Sequence, residues 1–287
     1  MNILACGNTD RCPNTIEIYN INTGDLIISL NGMSTDKLVH SMFFNFDNSL
    51  LACICRHDIL NISYIIIWNV NTGECLHDFE KTGCVVSGSF NYNNELVSGS
   101  NDSMLNFWDL STGECSKTHF EDNRSITSLS YSKYGNNLLI STYGGSIRLR
   151  NSDTLNLIFN FKDDLSSFIS SNFNHDETLI ISFSNLGIIK ILEISSVTCI
   201  HIIETKCKFS FCDRIYSFTF SDNLIVLGSE DNILKVWQND TEYEDKLVLS
   251  KERKIYDIVT NNSFILSIDI HTHCCCFGNS VNFGMYI

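Results

Sequence analysis

Four short stretches of this sequence contain residues whose types could do chemistry. Residues 99–115 read GSNDSMLNFWDLSTGEC and hold two carboxylates, Asp102 and Asp109, the groups that share general acid and base roles. Residues 271–276 read HTHCCC, and His and Cys are the usual ligands of zinc. His57 and Asp58 adjoin in CRHDILNIS, and Gly144 and Gly145 form a glycine pair of the kind found in phosphate-binding loops.

The spacing of these residues favours a structural role in each stretch. An alternating apolar run separates Asp102 from Asp109, which places the two carboxylates at opposite ends of a strand. On a strand Cys275 points away from its two cysteine neighbours, and no C-x-x-C partner completes a zinc site. The His57-Asp58 pair fits a solvated loop, and Gly144-Gly145 lies between two strands rather than before a helix. The sequence therefore predicts no enzyme, no metal and no cofactor.

Composition and charge restrict the classes of partner. The chain has 287 residues, of which 44% are hydrophobic, so it can bury a sizeable core without disulfides or metals. Its 19 Lys and Arg against 33 Asp and Glu give a net charge of −14, which disfavours nucleic acid and anionic membrane surfaces as partners. The start of the chain lacks the pattern of a signal peptide, and the 13 cysteines suit a reducing compartment. We expect a cytoplasmic or other intracellular protein.

A repeat organises the whole chain. A Thr-Gly turn follows a strand-like run three times, in NINTGDLIISL (20–30), NVNTGECLHDF (69–79) and DLSTGECSKTHF (109–120). Glycine supplies the positive φ that such a hairpin turn requires. The residues that close the strand before the turn recur every 40 to 49 positions. They are Tyr19, Trp68, Trp108, Arg150, Leu192, Trp237 and Phe277.

Each repeat contains four short strands, and no sustained helical period occurs. At LVSGSNDSMLNFWDLSTGEC (96–115) and LIVLGSEDNILKVWQN (224–239) the sequence resembles the WD-repeat β-propeller family. The resemblance implies an all-β, seven-bladed propeller of four-stranded antiparallel blades (strands a to d), with an incomplete first blade. The alternative is six full blades and a partial N-terminal blade that does not close. We expect one domain over 1–287, with repeats at 1–30, 38–79, 84–120, 124–161, 167–204, 214–251 and 254–287.

The family's structural tetrad links a hydroxyl in strand b, an Asp in the b–c turn, a Trp in strand c and a His before strand a. By resemblance Ser98, Asp102 and Trp108 supply three members in one blade. Asp231 and Trp237 supply two in another, where Leu227 takes the hydroxyl position. The His has no counterpart in any repeat, so we expect these blades to be less rigid than those of the family.

The resemblance also sorts the loops into two faces. The top face carries the d–a and b–c loops, and the bottom face carries the a–b and c–d turns. The bottom turns are strongly acidic, with Lys133 as the base among Asp25, Asp47, Glu74, Glu95, Glu114, Asp153, Asp176, Glu177 and Asp222. The top loops mix charges and aromatics, which suits peptide recognition. The residues predicted to bind a partner there are Lys37, His40, Arg124, Tyr143, Arg214, Tyr216, Lys254 and Tyr256.

The ends of the chain raise a question of strand count. The first repeat opens at ILACGN as strand b and has no strand a before it, so the total is twenty-seven strands. A short link forces VNFGMYI (281–287) to run as strand d of the last blade rather than as the missing strand a. Either the chain begins upstream of Met1 or the first blade is a weak seam, in which residues 1–30 exchange their amide hydrogens first.

These observations leave several functions open. The resemblance favours a non-enzymatic scaffold that binds peptides or domains of other proteins on its top face. One alternative is a substrate-receptor or adaptor subunit of a larger complex, such as a ubiquitin ligase or a chromatin assembly. Another is a degenerate propeller with little binding activity. A small-molecule substrate is not expected.

Overall fold

The computed structural model describes an all-β protein. It describes residues 3–7, 16–20, 23, 25–31, 37–57, 60–163, 167–174, 176–204, 215–221, 224–229, 233–238, 246–249, 255–261, 264–269 and 275–279, with side chains within 16–204. These residues form twenty-six strands and no helix, so none of the described segments could cross a membrane as an apolar helix. The chain divides into two compact units, residues 1–171 and 172–287.

The first unit contains four antiparallel sheets in which strands adjacent in sequence pair. The first sheet has three strands, β1 (Ile3–Gly7), β2 (Ile16–Asn20) and β3 (Leu26–Leu30). The second comprises β4 (Lys37–Phe44), β5 (Leu50–His57), β6 (Ile62–Asn69) and β7 (Cys75–Thr82). The third comprises β8 (Val85–Phe90), β9 (Leu96–Ser100), β10 (Met104–Asp109) and β11 (Glu114–Phe120). The fourth comprises β12 (Ile126–Tyr131), β13 (Asn137–Thr142), β14 (Ser146–Asn151) and β15 (Leu157–Lys162).

Three further sheets follow along the chain. The fifth comprises β16 (Phe168–Phe173), which contains the boundary between the units, β17 (Leu179–Ser184), β18 (Ile188–Glu193) and β19 (Thr198–Glu204). The sixth comprises β20 (Ile215–Ser221), β21 (Leu224–Ser229), β22 (Ile233–Gln238) and β23 (Lys246–Leu249). The last comprises β24 (Ile255–Asn261), β25 (Phe264–Asp269) and β26 (Cys275–Asn279). The predicted all-β class of repeated antiparallel sheets is confirmed; residues 281–287, predicted as the last strand, lie outside the described part.

Two of the three Thr-Gly turns form as the sequence predicts, and Gly24 of the first lies outside the described residues. Gly73 and Gly113 have φ of 73° and 74°, and their amides donate to the carbonyls of Asn69 and Asp109 at 2.8 and 2.9 Å. A β-bulge precedes each turn, beside Trp68 and Trp108 respectively. A glycine with positive φ closes such a turn without a Cβ clash, which explains why the tripeptide recurs.

The hydrophobic core of the first unit lies between successive sheets. One cluster joins Ile16 and Ile18 of the first sheet to Leu51 and Trp68 of the second. A second cluster packs Ile65 and Phe79 of the second sheet against Trp108 of the third, and another joins the third sheet to the fourth. The second and third sheets therefore bury both faces, which is why their inner strands read as nearly continuous apolar runs.

Candidate binding surface

Trp108, in β10, makes a buried hydrogen bond within its own sheet. The indole Nε1–H donates to Ser98 Oγ at 2.9 Å, and both side chains are buried. The pairing of β10 with β9 sets Leu96 opposite Trp108, so Ser98 lies two residues further along on the same face. Phe79 of the second sheet stacks on the indole, with the ring centroids 4.6 Å apart. The pair therefore ties β9 to β10 at the interface between two sheets.

Asp102 lies in the turn between β9 and β10 and holds that turn. Its carboxylate accepts hydrogen bonds from the Ser100 hydroxyl and, at 3.1 Å, from the Met104 amide. The described contacts of Asp102 do not reach the indole–hydroxyl pair. The structure thus brings Ser98 and Trp108 together and keeps Asp102 in a separate turn network.

The second sheet has an equivalent indole without a hydroxyl acceptor. Trp68 lies opposite Leu51 in β5, so Cys53 occupies the position that Ser98 has in the third sheet. Cys53 Sγ lies 3.3 Å from Cys55 Sγ, and burial raises the pKa of the Cys53 thiol well above its ordinary value. The buried Trp68 Nε1–H has no hydrogen-bond partner in the described part of the chain. A thiol is a weak acceptor, so the substitution of Cys for Ser explains the unpaired indole.

Arg150 replaces the indole in the fourth sheet and belongs to a buried ion cluster that the sequence did not reveal. Arg150 Nε donates to Glu121 Oε2 at 2.9 Å and Nη2 donates to Oε1 at 3.0 Å. Arg148 Nη1 donates to the same Oε1 at 2.8 Å, and its Nη2 donates to Asp122. The Glu121 side chain is completely buried. The signal in the sequence was two arginines two residues apart on one strand, with Glu-Asp just after the preceding one.

The electrostatics of this cluster indicate a structural role. Desolvation opposes the charge on Arg148, but hydrogen bonds and charges from Asp122 and Glu121 raise its pKa. Desolvation and the charge of Arg150 lower the pKa of His119, whose Nε2 lies 3.6 Å from Glu121 Oε2. Each arginine faces a carboxylate, and the buried carboxylate is shared by both. The cluster joins the third sheet to the fourth, and both arginines are paired with carboxylates within it.

Arg124 and Tyr143 lie side by side on the top face of the first unit. Arg124 Nη1 donates to the carbonyl of Gly144, and the Tyr143 amide donates to the Ser125 carbonyl at 2.8 Å. Ser103 Oγ donates to the Arg124 carbonyl at 2.6 Å. Both predicted side chains remain exposed, Tyr143 by 64%. We call Arg124 and Tyr143 the top-face patch.

Lys37 and His40, also predicted for the top face, make contacts within the second sheet. Lys37 begins β4, pairs with Asp78 at 2.5 Å and lies 3.8 Å above the ring of Tyr64. His40 Nε2 lies 2.8 Å from Arg56 Nη2. Desolvation by surrounding protein atoms and the charge of Arg56 lower the pKa of His40 to about 4, so the neutral ring accepts a hydrogen bond from the guanidinium near pH 7.

The remaining predicted residues belong to the sixth and seventh sheets. Tyr216, Trp237 and Tyr256 lie in β20, β22 and β24, where the structure describes the strands alone. Arg214, Asp231 and Lys254 lie outside the described residues.

The residues first considered for chemistry have structural positions where they are described. Asp102 and Asp109 flank the length of β10, about 20 Å apart at the rise of a strand, so they cannot act on one bond. His57 Nδ1 accepts from the Leu60 amide at 3.2 Å. Over the described residues no group of three or more His, Cys, Asp or Glu side chains is arranged to hold a metal ion. HTHCCC lies partly outside the described residues, with Cys275 and Cys276 in β26.

Comparison with known proteins agrees with this geometry. Residues 73–109 match the WD40 family, described as WD domain, G-beta repeat. The matched segment runs from the turn before β7 to the end of β10 and includes the Ser98–Trp108 pair. The resemblance to the WD-repeat family is confirmed. One chain in the crystal structure of the mitotic checkpoint complex superposes with a TM-score of 0.75 over 93% of this chain and 81% of that one, at 12% identity, which supports the propeller fold.

A curated relative matches part of the chain. Protein tipD of Dictyostelium discoideum is 30% identical over 120 residues, which is 42% of this chain. The match spans 18% of the length of protein tipD, so it covers a small part of a longer protein.

Proposed function

We propose that this WD-repeat chain is a non-enzymatic scaffold that binds a peptide or domain of another protein through its top face. The observation that carries the proposal is the top-face patch, in which Arg124 and Tyr143 are exposed next to each other on two adjoining loops. An arginine and a tyrosine bind carboxylates, carbonyls and apolar side chains well, so we expect the partner to present these groups to the patch.

The local hydrogen bonds support this role because they hold the two loops before any partner arrives. The Arg124 guanidinium is fixed by Gly144, which has φ of 100° and is itself held by a 3.0 Å hydrogen bond from its amide to Ser167 Oγ. A surface whose side chains are already ordered loses less conformational entropy on binding. Arginine and tyrosine are also the residue types in which interface binding energy concentrates.

A selection from a random peptide library displayed on phage, followed by titration of the enriched peptide, tests the proposal. We expect the peptide to bind the unmodified chain and to bind Arg124→Glu/Tyr143→Ala at least about tenfold more weakly, the loss expected for an anchor residue. Circular dichroism and the melting temperature verify that the variant is folded.

A matched variant on the other face makes the test specific. Glu74→Gln/Glu114→Gln changes two exposed carboxylates in bottom-face turns. The peptide should bind this variant as it binds the unmodified chain. Equal loss in both variants, or loss in the bottom-face variant alone, would contradict the top-face assignment.

A further inference from the structure

Three exposed aromatic side chains lie in successive a–b turns on the bottom face of the first unit. Phe46 follows β4, Tyr92 follows β8 and Tyr134 follows β12. Their side chains are 44%, 68% and 71% exposed, respectively. Phe46 and Tyr92 are the second residues of their turns, and Tyr134 is the third residue of its turn. A single exposed aromatic is common on a protein surface, but one in each of three successive a–b turns forms a recurrent surface feature.

The three turns share one backbone design that presents the aromatics rigidly. In each turn the amide of the fourth residue donates to the carbonyl of the first, from Asn48, Asn94 and Gly135 at 3.1, 3.1 and 2.8 Å. Those donors have φ of 60°, 64° and 74°, the left-handed conformation that Asn and Gly tolerate best. The side-chain oxygen of the first residue in each turn, Asn45, Asn91 or Ser132, also accepts a hydrogen bond from a backbone amide at the start of the next strand or just before it. The aromatic positions are therefore fixed by local hydrogen bonds.

The turns also contact one another, so the aromatics form one surface. The rings of Phe46 and Tyr92 lie 6.4 Å apart, and Asn45 Nδ2 donates to Asn94 Oδ1 at 2.8 Å between the two turns. Gly135 packs so closely on the second turn that a Cβ there would lie 3.3 Å from the Tyr92 backbone nitrogen. We call Phe46, Tyr92 and Tyr134 the aromatic arc.

Carboxylates surround the aromatic arc. The c–d turns reach the same face, as the 2.8 Å hydrogen bond from the Val70 amide to the Ser49 carbonyl demonstrates. Burial and the charges of Glu95 and Asp153 raise the pKa of Tyr131, next to the third turn. Exposed carboxylates on this face are Asp47, Glu74, Glu95, Glu114 and Asp153, against the exposed lysines Lys133 and Lys117 in the described residues. The carboxylates outnumber the two lysines, so the surface is anionic, and Lys117 Nζ is engaged by the Asp153 carbonyl at 3.2 Å.

We propose that the aromatic arc is a second protein-binding surface, which takes an extended lysine- or arginine-rich segment of a partner protein. Aromatic faces attract cations, and exposed rings flanked by carboxylates offer a basic side chain both a π-surface and a counter-charge. An acidic or neutral segment would gain only the apolar contact and would meet the repulsion of the carboxylates. Charge complementarity thus selects a basic occupant.

Fluorescence anisotropy with a labelled peptide of alternating arginine and serine tests this inference. We expect saturable binding that weakens as salt is raised, and no binding of the matched peptide of alternating glutamate and serine. Tyr92→Ala/Tyr134→Ala should weaken binding about tenfold, since two cation–π contacts each contribute about 0.5–1 kcal/mol. Tyr92→Phe/Tyr134→Phe retains both rings and should bind within about twofold of the unmodified chain.

Matched variants distinguish cation–π binding at this surface from apolar contact and from binding at the top face. Tyr92→Leu/Tyr134→Leu keeps the apolar area and loses the π-faces, so it should bind as weakly as the alanine variant. Tyr143→Ala removes an exposed aromatic of the top-face patch and should leave the basic peptide's affinity unchanged, whether or not the top face binds a partner. Absence of saturable binding, or equal affinity of the unmodified chain and the alanine variant, would overturn the proposal.

Discussion

At the scale of single residues, the two described indoles differ in one acceptor atom. Trp108 donates to Ser98, whereas Trp68 faces Cys53 and leaves its Nε1–H unpaired. A buried donor without a partner costs about 1–3 kcal/mol of stability. The second sheet therefore bears a local cost that the third sheet avoids.

Ser98→Ala should destabilise the protein by about 1–2 kcal/mol, because it removes the acceptor of a buried indole. Urea unfolding followed by circular dichroism measures the loss. Thr118→Val, in the exposed strand β11, removes a hydroxyl from the surface, serves as the control and should change stability by less than about 0.5 kcal/mol. Equal effects of the two substitutions would contradict a specific role for the hydroxyl.

Cys53→Ser should be less destabilising than Cys55→Ser, although both place a hydroxyl among buried apolar side chains. Only residue 53 occupies the position in β5 that Ser98 has in β9, two residues along from the partner of the tryptophan, where a hydroxyl can accept the Trp68 Nε1–H. One hydrogen bond recovers about 1 kcal/mol of the desolvation cost. Urea unfolding of both variants compares them, and a larger loss for Cys53→Ser would refute the equivalence of positions 53 and 98.

At the scale of secondary-structure elements, two successive interfaces between sheets differ in chemistry: one is aromatic and the next is ionic. Phe79 and Trp108 stack between the second and third sheets, whereas His119, Glu121 and Arg150 meet between the third and fourth. His119 lies opposite Leu105 as Phe79 lies opposite Ile65, so the two interfaces use the same strand positions. Both arrangements bring the last strand of one sheet against the third strand of the next.

Glu121→Gln should destabilise the protein by about 3–5 kcal/mol, because it leaves two arginines without their shared buried carboxylate. Asp122→Asn, which changes a partly exposed partner of Arg148 alone, should cost less. Thermal and urea unfolding measure both variants. A smaller loss for Glu121→Gln than for Asp122→Asn would contradict the central place of Glu121 in the cluster.

The sheets could be predicted from the sequence repeat. The ion cluster could not, because it depends on packing between repeats. The Thr-Gly turns and the alternating runs specify strand order because their physical causes are local: Gly73 and Gly113 need positive φ. In the sequence, Arg150 is recognisable only as a residue at the position where other repeats have tryptophan. Its partner Glu121 lies in the connection before the fourth sheet, a contact that no local pattern encodes. Likewise the engagement of Lys37 by Asp78 depends on the fold.

At the scale of the whole molecule, lowered histidine pKa values make stability depend on pH. The folded-state pKa of His40 is about 4, below its ordinary value of 6.5, so the unfolded chain binds more protons between these values. His119 shifts in the same direction. The contribution of His40 to the unfolding free energy is fully present above pH 6.5 and is lost as the pH falls toward about 4.

His40→Gln should therefore flatten the decrease of unfolding free energy between pH 6.5 and about 4, since the variant lacks one group that the unfolded chain protonates preferentially. Urea titrations at a series of pH values measure the slope. An unchanged slope in His40→Gln would contradict the lowered pKa.

If the top-face patch recognises the partner, the selected peptide should leave a hydrogen–deuterium exchange footprint on the loops that carry Arg124 and Tyr143. We predict protection of backbone amides in residues 121–125 and 143–145 when the peptide is bound, with little change in the turns at 45–49 and 91–95. Protection of those bottom-face turns instead, with the top-face loops unaffected, would contradict the assignment.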